Sequence, residues 1–289
     1  MNHILFFGLG FSARVLAQHL RPQGWAVSAT SRSAEGAQAI HALGYGAHVF
    51  DGTAPLPEGA LEGVTHVVIS APPGADGDPV LRLHAADFAR RAAQFQWIGY
   101  LSTTGVYGDH GGGLVTEDTP LTPNTERGHK RLLAEAQWLD LWRANRLPVH
   151  VFRLAGIYGP GRNQLLSLLD GTAKRVIKEG QIFSRIHVED IAGTLEASIA
   201  RPMPGRAYNV CDDEPCPPQD VVEFGARLLG LPVPPAIPFE EAQLSPMARS
   251  FYADSKRVSN ARLKSELGLQ LLYPSYREGL TAIARDLKA

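Results

Sequence analysis

The sequence predicts an α/β protein in which a doubly wound parallel sheet is joined to a smaller, mixed α/β C-terminal lobe. Over residues 1–155, short runs rich in β-branched and aromatic residues alternate with longer amphipathic stretches, which is typical of βαβ units. From residue 156 onward, Pro- and Gly-rich turns interrupt shorter helical patterns. We therefore expect two domains, residues 1–155 and residues 156–289, with the second interleaved with the sheet.

The individual elements follow from the period of the apolar residues. Six strands are expected at residues 4–7, 26–30, 47–50, 64–70, 97–102 and 149–154. Helices are expected where apolar positions recur at spacings of three and four, at residues 12–20, 33–43, 79–95 and 125–146. In the second part of the chain, helices are expected at residues 189–201, 218–229, 255–267 and 276–287.

The composition restricts the possible classes of protein. Of the 289 residues, 44% are hydrophobic, and 28 Lys and Arg nearly balance 29 Asp and Glu, which fits a globular chain and argues against a nucleic-acid partner. Cys211 and Cys216 cannot form a disulfide framework and lack a second pair of soft ligands, so we expect a reducing, cytoplasmic location and no metal. The amino terminus is a poor signal peptide, and no apolar run approaches the ~18 residues of a membrane span.

The first predicted strand runs directly into a glycine turn with the sequence GLGFSA, at residues 8–13, and then into a helix. This order matches the GxGxxG/A fingerprint of dinucleotide-binding folds of the Rossmann type. Gly8 permits the tight turn, Gly10 lets the backbone approach a pyrophosphate, and Ala13 lets the helix pack closely on the strand. Phe11 and Ser12 begin the helix whose amino terminus attracts the anion. A glycine turn without a ligand is the alternative interpretation.

The end of the second predicted strand indicates which dinucleotide is bound. NAD-selective sites place a carboxylate there to bind the ribose 2′-hydroxyl. This chain has Thr30, Ser31 and Arg32 instead, and a guanidinium with two neighbouring hydroxyls suits a 2′-phosphate. The sequence therefore favours NADP over NAD. Alternatively, Arg32 is an exposed residue at the start of a helix.

Several further segments, taken in order with the glycine turn, resemble the extended short-chain dehydrogenase/reductase superfamily, also called the NAD-dependent epimerase/dehydratase family. They are LSTTGVYG at 101–108, RLAGIYGPG at 153–161, IHVEDI at 186–191, YNV at 208–210 and the stretch 255–268. The likeness covers nearly the whole chain. It implies an NAD(P)-binding Rossmann domain at 1–155 and a substrate-binding lobe at 156–289. It also places Asp51 near the adenine, with a turn residue at Asp51-Gly52 as the alternative. Ala71, directly after the fourth predicted strand, joins the candidate cofactor residues.

By the same resemblance, Thr103 supplies the hydroxyl that polarises the substrate oxygen, and Lys130 holds the nicotinamide ribose. The family carries a tyrosine four residues before this lysine, where this chain has Glu126. A carboxyl pKa near 4.3 is poorly matched to the work of a phenol with a pKa of ~10. Glu126 is either an ordinary i,i+4 helix partner of Lys130 or a partly buried acid/base group. Tyr107, His129 and His187 are the other candidates for the proton transfer.

Candidate substrate contacts lie mostly in the second part of the chain. Arg185 and His187 fall on one face of a short predicted strand, Arg162 and Asn163 follow the Gly-Pro-Gly turn, and Tyr107 belongs to the 101–108 segment. A histidine satisfied by a neighbour such as Asp190 is the alternative for His187.

These residues predict an NADP-dependent oxidoreductase or epimerase that acts on a small-molecule substrate, as a monomer or a homodimer. A dinucleotide-binding sensor or scaffold that performs no chemistry is the alternative, because the tyrosine is missing.

Overall fold

The computed structural model describes residues 2–287, and within them it contains thirteen strands and ten α-helices. The strands are β1 (His3–Phe7), β2 (Ala26–Ser31), β3 (Gly46–Val49), β4 (His66–Ile69), β5 (Trp97–Thr103), β6 (Leu114–Val115), β7 (Val149–Leu154), β8 (Gly156–Tyr158), β9 (Arg175–Ile177), β10 (Arg185–His187), β11 (Ala207–Val210), β12 (Ala236–Pro238) and β13 (Arg257–Val258). The helices are α1 (Phe11–Leu20), α2 (Ala34–Ala42), α3 (Pro79–Arg90), α4 (Glu126–Asn145), α5 (Gln164–Leu169), α6 (Val188–Ala200), α7 (Pro218–Leu229), α8 (Pro246–Phe251), α9 (Ala261–Leu267) and α10 (Tyr276–Asp286).

Seven strands form one sheet in the order β11-β7-β5-β4-β1-β2-β3. The pairs of β1 with β2 and β4, of β2 with β3 and of β4 with β5 are parallel, so the predicted doubly wound sheet is confirmed. All six predicted strands belong to it. The seventh, β11, contains the YNV segment. The strand order reverses beside β1, and doubly wound sheets open a ligand crevice at such a reversal.

The sheet is buried on both faces, which explains why its central strands are almost uninterrupted apolar runs. Leu5, Phe7 and Ile98 from the strands are inaccessible to solvent. Phe88 of α3 and Trp138 of α4 pack in the same cluster, with their ring centroids 5.4 Å apart. This core fixes the strand ends from which the neighbouring loops emerge.

The chain forms two compact units that alternate along the sequence, rather than two halves divided at residue 155. Unit 1 contains Met1–Thr103, His129–Arg153 and Ala192–Tyr208, and unit 2 contains Thr104–Gly128, Leu154–Ile191 and Asn209–Ala289. Unit 2 has its own core, in which α7 and α10 contribute Val221, Tyr276 and Leu280. Among residues 2–287, no helix combines the length and apolar character that crossing a bilayer requires.

The helix expected at 255–267 is wrong in its first part. The chain is extended at Arg257–Val258, where β13 pairs with β6, and α9 begins only at Ala261. The Arg257 amide donates to the Gly113 carbonyl, 2.8 Å away, and Lys256 Nζ donates to the Gly108 carbonyl at 2.7 Å. These contacts to a distant segment outweigh the local helical pattern. The helix expected at 79–95 likewise ends at Arg90, before a short 3₁₀ turn at Ala92–Gln94.

Candidate functional site

Gly8 is a glycine because the fold demands it. Its φ of +92° lies in the left-handed region, and a Cβ there would lie 2.9 Å from Ser70 Oγ. The Gly8 amide donates a hydrogen bond to Thr30 Oγ1 at 2.9 Å, which joins the turn after β1 to the end of β2. The first glycine of the motif is thus explained by the protein alone.

Gly10 is different, because nothing within the protein requires a glycine there. Its φ is −78°, and no heavy atom lies within 4 Å of the position that a Cβ would occupy. Gly10 is the N-cap of α1 and lies in the wall of a cavity. The open space beside Gly10 therefore suits a ligand that approaches the backbone closely, at the amino terminus of a helix.

This cavity, called the unit 1 cavity, has a volume of about 790 Å³. Seven of the predicted cofactor residues lie in its wall: Gly8, Gly10, Thr30, Ser31, Arg32, Asp51 and Ala71. The first turn of α1, Phe11, Ser12 and Ala13, is not part of the wall. Lys130, in α4, is not part of the wall either. Ala13 is inaccessible to solvent, as close packing of the helix on the strand requires.

Two arginines in the wall, Arg14 and Arg82, were not among the predicted residues. Arg14 Nε donates to the Leu9 carbonyl at 3.2 Å, and Arg82 Nη2 donates to the Gly52 carbonyl. Together with Arg32 they give the wall three cations, against the carboxylates of Asp51 and Asp76. No contiguous pattern marks Arg14 or Arg82, because each is an ordinary charged position on a helix.

The three predicted side chains at the end of β2, Thr30, Ser31 and Arg32, differ in their contacts and exposure. The Thr30 hydroxyl accepts from the Gly8 amide, so it holds the glycine turn. Ser31 is half-buried against the first turn of α2, where a Cβ on Gly36 would fall 1.9 Å from Ser31 Oγ. Arg32 is exposed and lies in the cavity wall.

Asp51 follows β3 and also lies in the cavity wall. Its Oδ1 accepts from the amide of Thr53 at 2.8 Å and from the Thr53 hydroxyl at 2.7 Å. Hydrogen bonds from the Thr53 backbone and then from its hydroxyl hold the pKa of this exposed carboxyl below its usual value. Asp51 therefore combines both expectations, a turn residue and a residue facing the predicted cofactor site.

The three predicted catalytic residues lie at the end of β5 and at the start of α4. Thr103 is the last residue of β5 and is half-buried, as is Lys130 in α4. Glu126 is the first residue of α4 and is exposed. The alternative in which Glu126 is a partly buried acid/base group is therefore wrong about its burial, because a first-turn residue preceding the packed part of the helix faces solvent. His129 is exposed as well.

A buried polar network behind these residues was missed by the sequence analysis. Glu135 of α4 forms an ion pair with Arg153 of β7, with 2.9 Å between Oε2 and Nη2. Ser102 Oγ, next to Thr103, donates to Glu135 Oε1. Arg131, next to Lys130, donates from Nη1 to the Leu101 carbonyl at 2.6 Å. The network fixes α4 against β5, the elements that carry Lys130 and Thr103.

Tyr107 does not have the position that its predicted role as a substrate contact requires. Its side chain is inaccessible to solvent, and its hydroxyl donates to Asn209 Oδ1 at 2.8 Å. Tyr107 lies in a 3₁₀ turn just after β5, and the chain turns it into the core. It is a structural residue, and the same burial removes it as a candidate for proton transfer.

A second cavity, of about 410 Å³, lies within unit 2 and is called the unit 2 cavity. The predicted substrate contacts Arg162, Asn163 and Arg185 all lie in its wall. Asn163 is also the N-cap of α5, since its Oδ1 accepts from the amides of Leu165 and Leu166 at 3.0 and 3.2 Å.

His187 is on β10 as expected but is not part of this wall. It is 2% exposed, packs 4.1 Å from the Tyr273 ring centroid, and accepts from the Glu189 amide through Nδ1 at 3.2 Å. Burial lowers the pKa of His187 to about 4, so the ring is neutral at pH 7. The expectation that His187 contacts substrate is therefore wrong, because neighbouring aromatic rings enclose it. The alternative interpretation, a histidine satisfied by a neighbour, fits the hydrogen bond that Nδ1 accepts, although the neighbour is Glu189.

The side chains that most often bind metals, cysteine, histidine and the carboxylates, do not form a metal site in the part of the chain that the structure describes. Cys211 and Cys216 are free and buried, and burial raises the pKa of each thiol, that of Cys216 to about 11. Within residues 2–287, no group of three or more His, Cys, Asp or Glu side chains could hold a metal ion.

Comparison with known proteins identifies the family. A family model described as "NAD dependent epimerase/dehydratase family" matches residues 80–211. Protein YeeZ of Escherichia coli strain K12 is 30% identical over 292 aligned positions, which cover 95% of this chain and 97% of YeeZ. A solved structure of a functionally unknown conserved protein from Silicibacter pomeroyi is 54% identical, covers 100% of both chains and has a TM-score of 0.92.

A more distant structure shares the fold. The dTDP-glucose 4,6-dehydratase from Bacillus anthracis, solved in complex with NAD, superposes with a TM-score of 0.78 at 17% identity, over 100% of this chain and 97% of the dehydratase. The full-length match to YeeZ and the family model agree with the glycine turn and the sheet order described above. The chain belongs to the NAD-dependent epimerase/dehydratase family.

Proposed function

We propose that the protein binds NADP(H) in the unit 1 cavity and acts as an oxidoreductase or epimerase on a small molecule. The observation that carries this proposal is the open space beside Gly10, a glycine with an ordinary φ that no contact within the protein requires. A pyrophosphate placed there meets the amino terminus of α1, where helix geometry favours an anion. We also propose that the protein is cytoplasmic and works as a monomer or homodimer.

The preference for NADP rests on the end of β2. The residues there are Thr30, Ser31 and Arg32, and the exposed Arg32 guanidinium can pair with phosphate through two parallel hydrogen bonds. Arg14 and Arg82 in the same wall add positive charge. The 2′-phosphate of NADP(H) should therefore bind more favourably in this cavity than the 2′-hydroxyl of NAD(H).

When bound, the cofactor supplies or accepts the hydride. In our proposal the Thr103 hydroxyl donates a hydrogen bond to the substrate oxygen, and Lys130 holds the ribose. The buried pair of Glu135 and Arg153 keeps α4 in place, so Lys130 has a defined position relative to β5. The proton that accompanies the hydride comes from solvent in this proposal, and the exposed Glu126 carboxyl at the start of α4 is not required for it.

One observation favours a second function, in which the protein binds the dinucleotide without turning it over. By the family resemblance Glu126 occupies the position of the tyrosine, and its exposure deprives the carboxyl of the desolvation that would suit it to proton transfer. Such a protein would act as a sensor of the bound dinucleotide or as a scaffold.

The experiment that tests the proposal is a fluorescence titration of the protein with NADPH and with NADH. We expect NADPH to bind at least tenfold more tightly, and Arg32→Ala to remove most of that difference, because one charge-assisted pair is worth about 1.5–3 kcal/mol. Arg201→Ala, an exposed arginine of unit 1 outside the cavity wall, is the matched control. Binding of neither dinucleotide would refute both functions.

Hydride transfer then separates the two functions. We expect oxidation of NADPH, followed by the loss of absorbance at 340 nm, with some member of a panel of aldehydes, ketones and nucleotide sugars. A protein that binds NADPH tightly, oxidises it with none of them and epimerises none of the nucleotide sugars is a sensor or scaffold.

A further inference from the structure

We propose that residues 72–77 form a flap, which moves while the unit 1 cavity is empty and is held closed over a bound dinucleotide. The flap connects β4 to α3, and most of its residues lie in the wall of that cavity: Pro72, Gly74, Ala75, Asp76 and Gly77. Closure over a dinucleotide rests on the proposed function, because it needs that ligand in the cavity. Three features lead to this inference: the rigid ends of the flap, the lack of support between them and the single charge that it carries.

The flap begins at a rigid point. Ser70, directly after β4, donates from Oγ to the Gly8 carbonyl at 2.6 Å, and the Ala71 amide donates to the Phe7 carbonyl at 2.9 Å. Both contacts join the end of β4 to the end of β1 and its glycine turn, which also carries Gly10. The first end of the flap is therefore fixed relative to the place proposed for the pyrophosphate.

The flap also ends at a rigid point. Asp78, the next residue, is 2% exposed and is the N-cap of α3. Its Oδ1 accepts from the Val80 amide at 2.8 Å and from the Leu81 amide at 3.2 Å. Its Oδ2 accepts from Trp138 Nε1 at 3.1 Å. A motion of the flap therefore stops at Asp78 and leaves α3 in place.

Between these ends the flap has little support. Within residues 2–287, its one hydrogen bond joins its own Gly74 amide to its own Gly77 carbonyl, at 2.8 Å. Most of the flap is exposed, and Pro72 and Pro73 have no N–H group to donate. Local motion is easiest where exposed backbone lacks hydrogen bonds and buried apolar contacts. Gly77 has a φ of +91°, and no heavy atom lies within 4 Å of its Cβ position, so it can serve as the hinge.

The charges around the flap are mostly positive. Arg14, Arg32 and Arg82 lie in the wall of the same cavity. Arg14 donates to the Leu9 carbonyl and Arg82 donates to the Gly52 carbonyl, each through one nitrogen. Both guanidinium groups therefore keep donors for phosphate oxygens, with which they pair well. The arginines suit the phosphates of a dinucleotide.

Asp76 is the only charged residue of the flap, and it suits a different part of the ligand. The other carboxylates nearby are engaged within the protein, because Asp51 accepts from Thr53 and the buried Asp78 caps α3. A phosphate would repel Asp76, whereas the hydroxyls of a ribose are donors that carboxylates bind in dinucleotide sites. The closed flap therefore lies over a ribose, and Asp76 accepts a hydrogen bond from its hydroxyl.

The test measures the motion of the flap by electron paramagnetic resonance, as the distance between two nitroxide labels. One pair is Ala75→Cys with Gln18→Cys, which joins the flap to an exposed position of α1. The control pair is Glu62→Cys with Gln18→Cys, because Glu62 is exposed in a loop of unit 1 outside the cavity wall. Cys211 and Cys216 are buried, so the labels attach to the new positions.

We expect the distance distribution of the flap pair to become at most half as wide on saturation with NADPH, while that of the control pair does not change. A fluorescence titration of the labelled protein measures NADPH binding separately. A flap distribution that is already narrow without NADPH, or that stays wide in protein that binds NADPH, would overturn the flap and leave the proposed function intact. Absence of NADPH binding would overturn both.

Asp76→Ala tests the contact with the ribose. Asp76 is exposed and makes no side-chain hydrogen bond to another of the described residues, so the melting temperature should not fall. We expect NADPH to dissociate about tenfold faster, the loss of one hydrogen bond to a charged group, and to associate no more slowly. Stopped-flow fluorescence measures both rates, and Glu62→Ala should change neither. Unchanged or slower dissociation, as expected if Asp76 only repels the phosphates, would overturn the contact.

Discussion

The unit 1 cavity and the unit 2 cavity present different chemistry to a ligand. The first is bordered by the loops that follow parallel strands, and its wall holds backbone turns, three arginines and two carboxylates. The second is formed by side chains from β8, β9, β10, α7 and α10, and its charged groups are all cations. A wall of backbone suits one invariant ligand, whereas a wall of side chains can change with each substitution. In the function proposed above, the first cavity is the one that holds the cofactor.

The largest expected effect is on NADPH binding in the unit 1 cavity, and its absence would contradict the cofactor role proposed for that cavity. Gly10→Val should weaken NADPH binding at least 100-fold, about 2.7 kcal/mol, because the side chain would fill the space that the pyrophosphate needs. The melting temperature should fall much less than in Gly8→Val, since a Cβ at residue 10 has no heavy atom of the protein within 4 Å. Fluorescence titration and a thermal melt measure the two quantities.

Gly8→Val is the matched control for that variant. It should lower the free energy of unfolding by at least about 1 kcal/mol, because φ is +92° and Ser70 Oγ lies close. Urea denaturation measures this loss. If Gly10→Val were destabilised like Gly8→Val, Gly10 would have a structural role, and the contrast between the two glycines would disappear.

A smaller effect concerns the charge of Asp212, which lies close to Arg185 of the unit 2 cavity. The pKa of Asp212 is raised to about 8 in the folded protein and returns to about 3.8 on unfolding, because burial disfavours the charged carboxylate. Between these values the folded state binds more protons, so stability is lost as the pH rises toward 8. Asp212→Asn cannot ionise. It should melt at least about 3 °C above wild type at pH 9, and the difference should shrink at pH 5.

Thermal melts of both proteins across that pH range provide the measurement. Asn keeps an oxygen that can accept from the Glu214 amide, as Asp212 Oδ1 does at 3.3 Å, so the fold is preserved. A difference in melting temperature that does not depend on pH would mean that Asp212 is ionised at neutral pH. The cationic character of the unit 2 wall would then be partly cancelled.

The smallest expected effect concerns Glu126. As an exposed first-turn residue of α4, its carboxylate interacts favourably with the helix dipole, so Glu126→Gln should cost about 0.5 kcal/mol of unfolding free energy. Urea denaturation measures it. NADPH affinity should be unchanged, and turnover, measured with a substrate from the panel above, should fall less than twofold. Loss of turnover with intact NADPH binding would instead make Glu126 the acid/base group.

The sequence predicts the sheet and the turn after β1 because their causes are local. Apolar runs of strand length identify all six predicted strands of the sheet. The GLGFSA segment places Gly8, with its positive φ, two residues before Gly10, with its open Cβ position. The position of Thr30, Ser31 and Arg32 at the end of β2, in the cavity wall, could be predicted because ligands bind at the carboxyl ends of parallel strands. Asp51, after β3, was predicted from the family resemblance and lies in the same wall. The family resemblance adds the order of the later segments, and the comparisons bear out the family.

What the sequence could not predict depends on contacts between distant segments. Tyr107 is in a motif that the family uses for substrate, but Asn209, 102 positions away, binds its hydroxyl in the core. The extended start of the 255–267 segment requires its pairing with β6. The unit 2 cavity collects residues from separate elements, so only the three beside recognisable motifs, Arg162, Asn163 and Arg185, could be anticipated.

The contact between Ser31 and Gly36 limits how coenzyme preference could be redesigned. The usual conversion toward NAD adds an acidic side chain at the tip of the second strand. At Ser31 the first turn of α2 packs closely, because a methyl group on Gly36 would lie 1.9 Å from the serine Oγ. A longer acidic side chain at residue 31 therefore has to leave the rotamer of the serine, whereas the solvent-facing Arg32 position is free of this constraint.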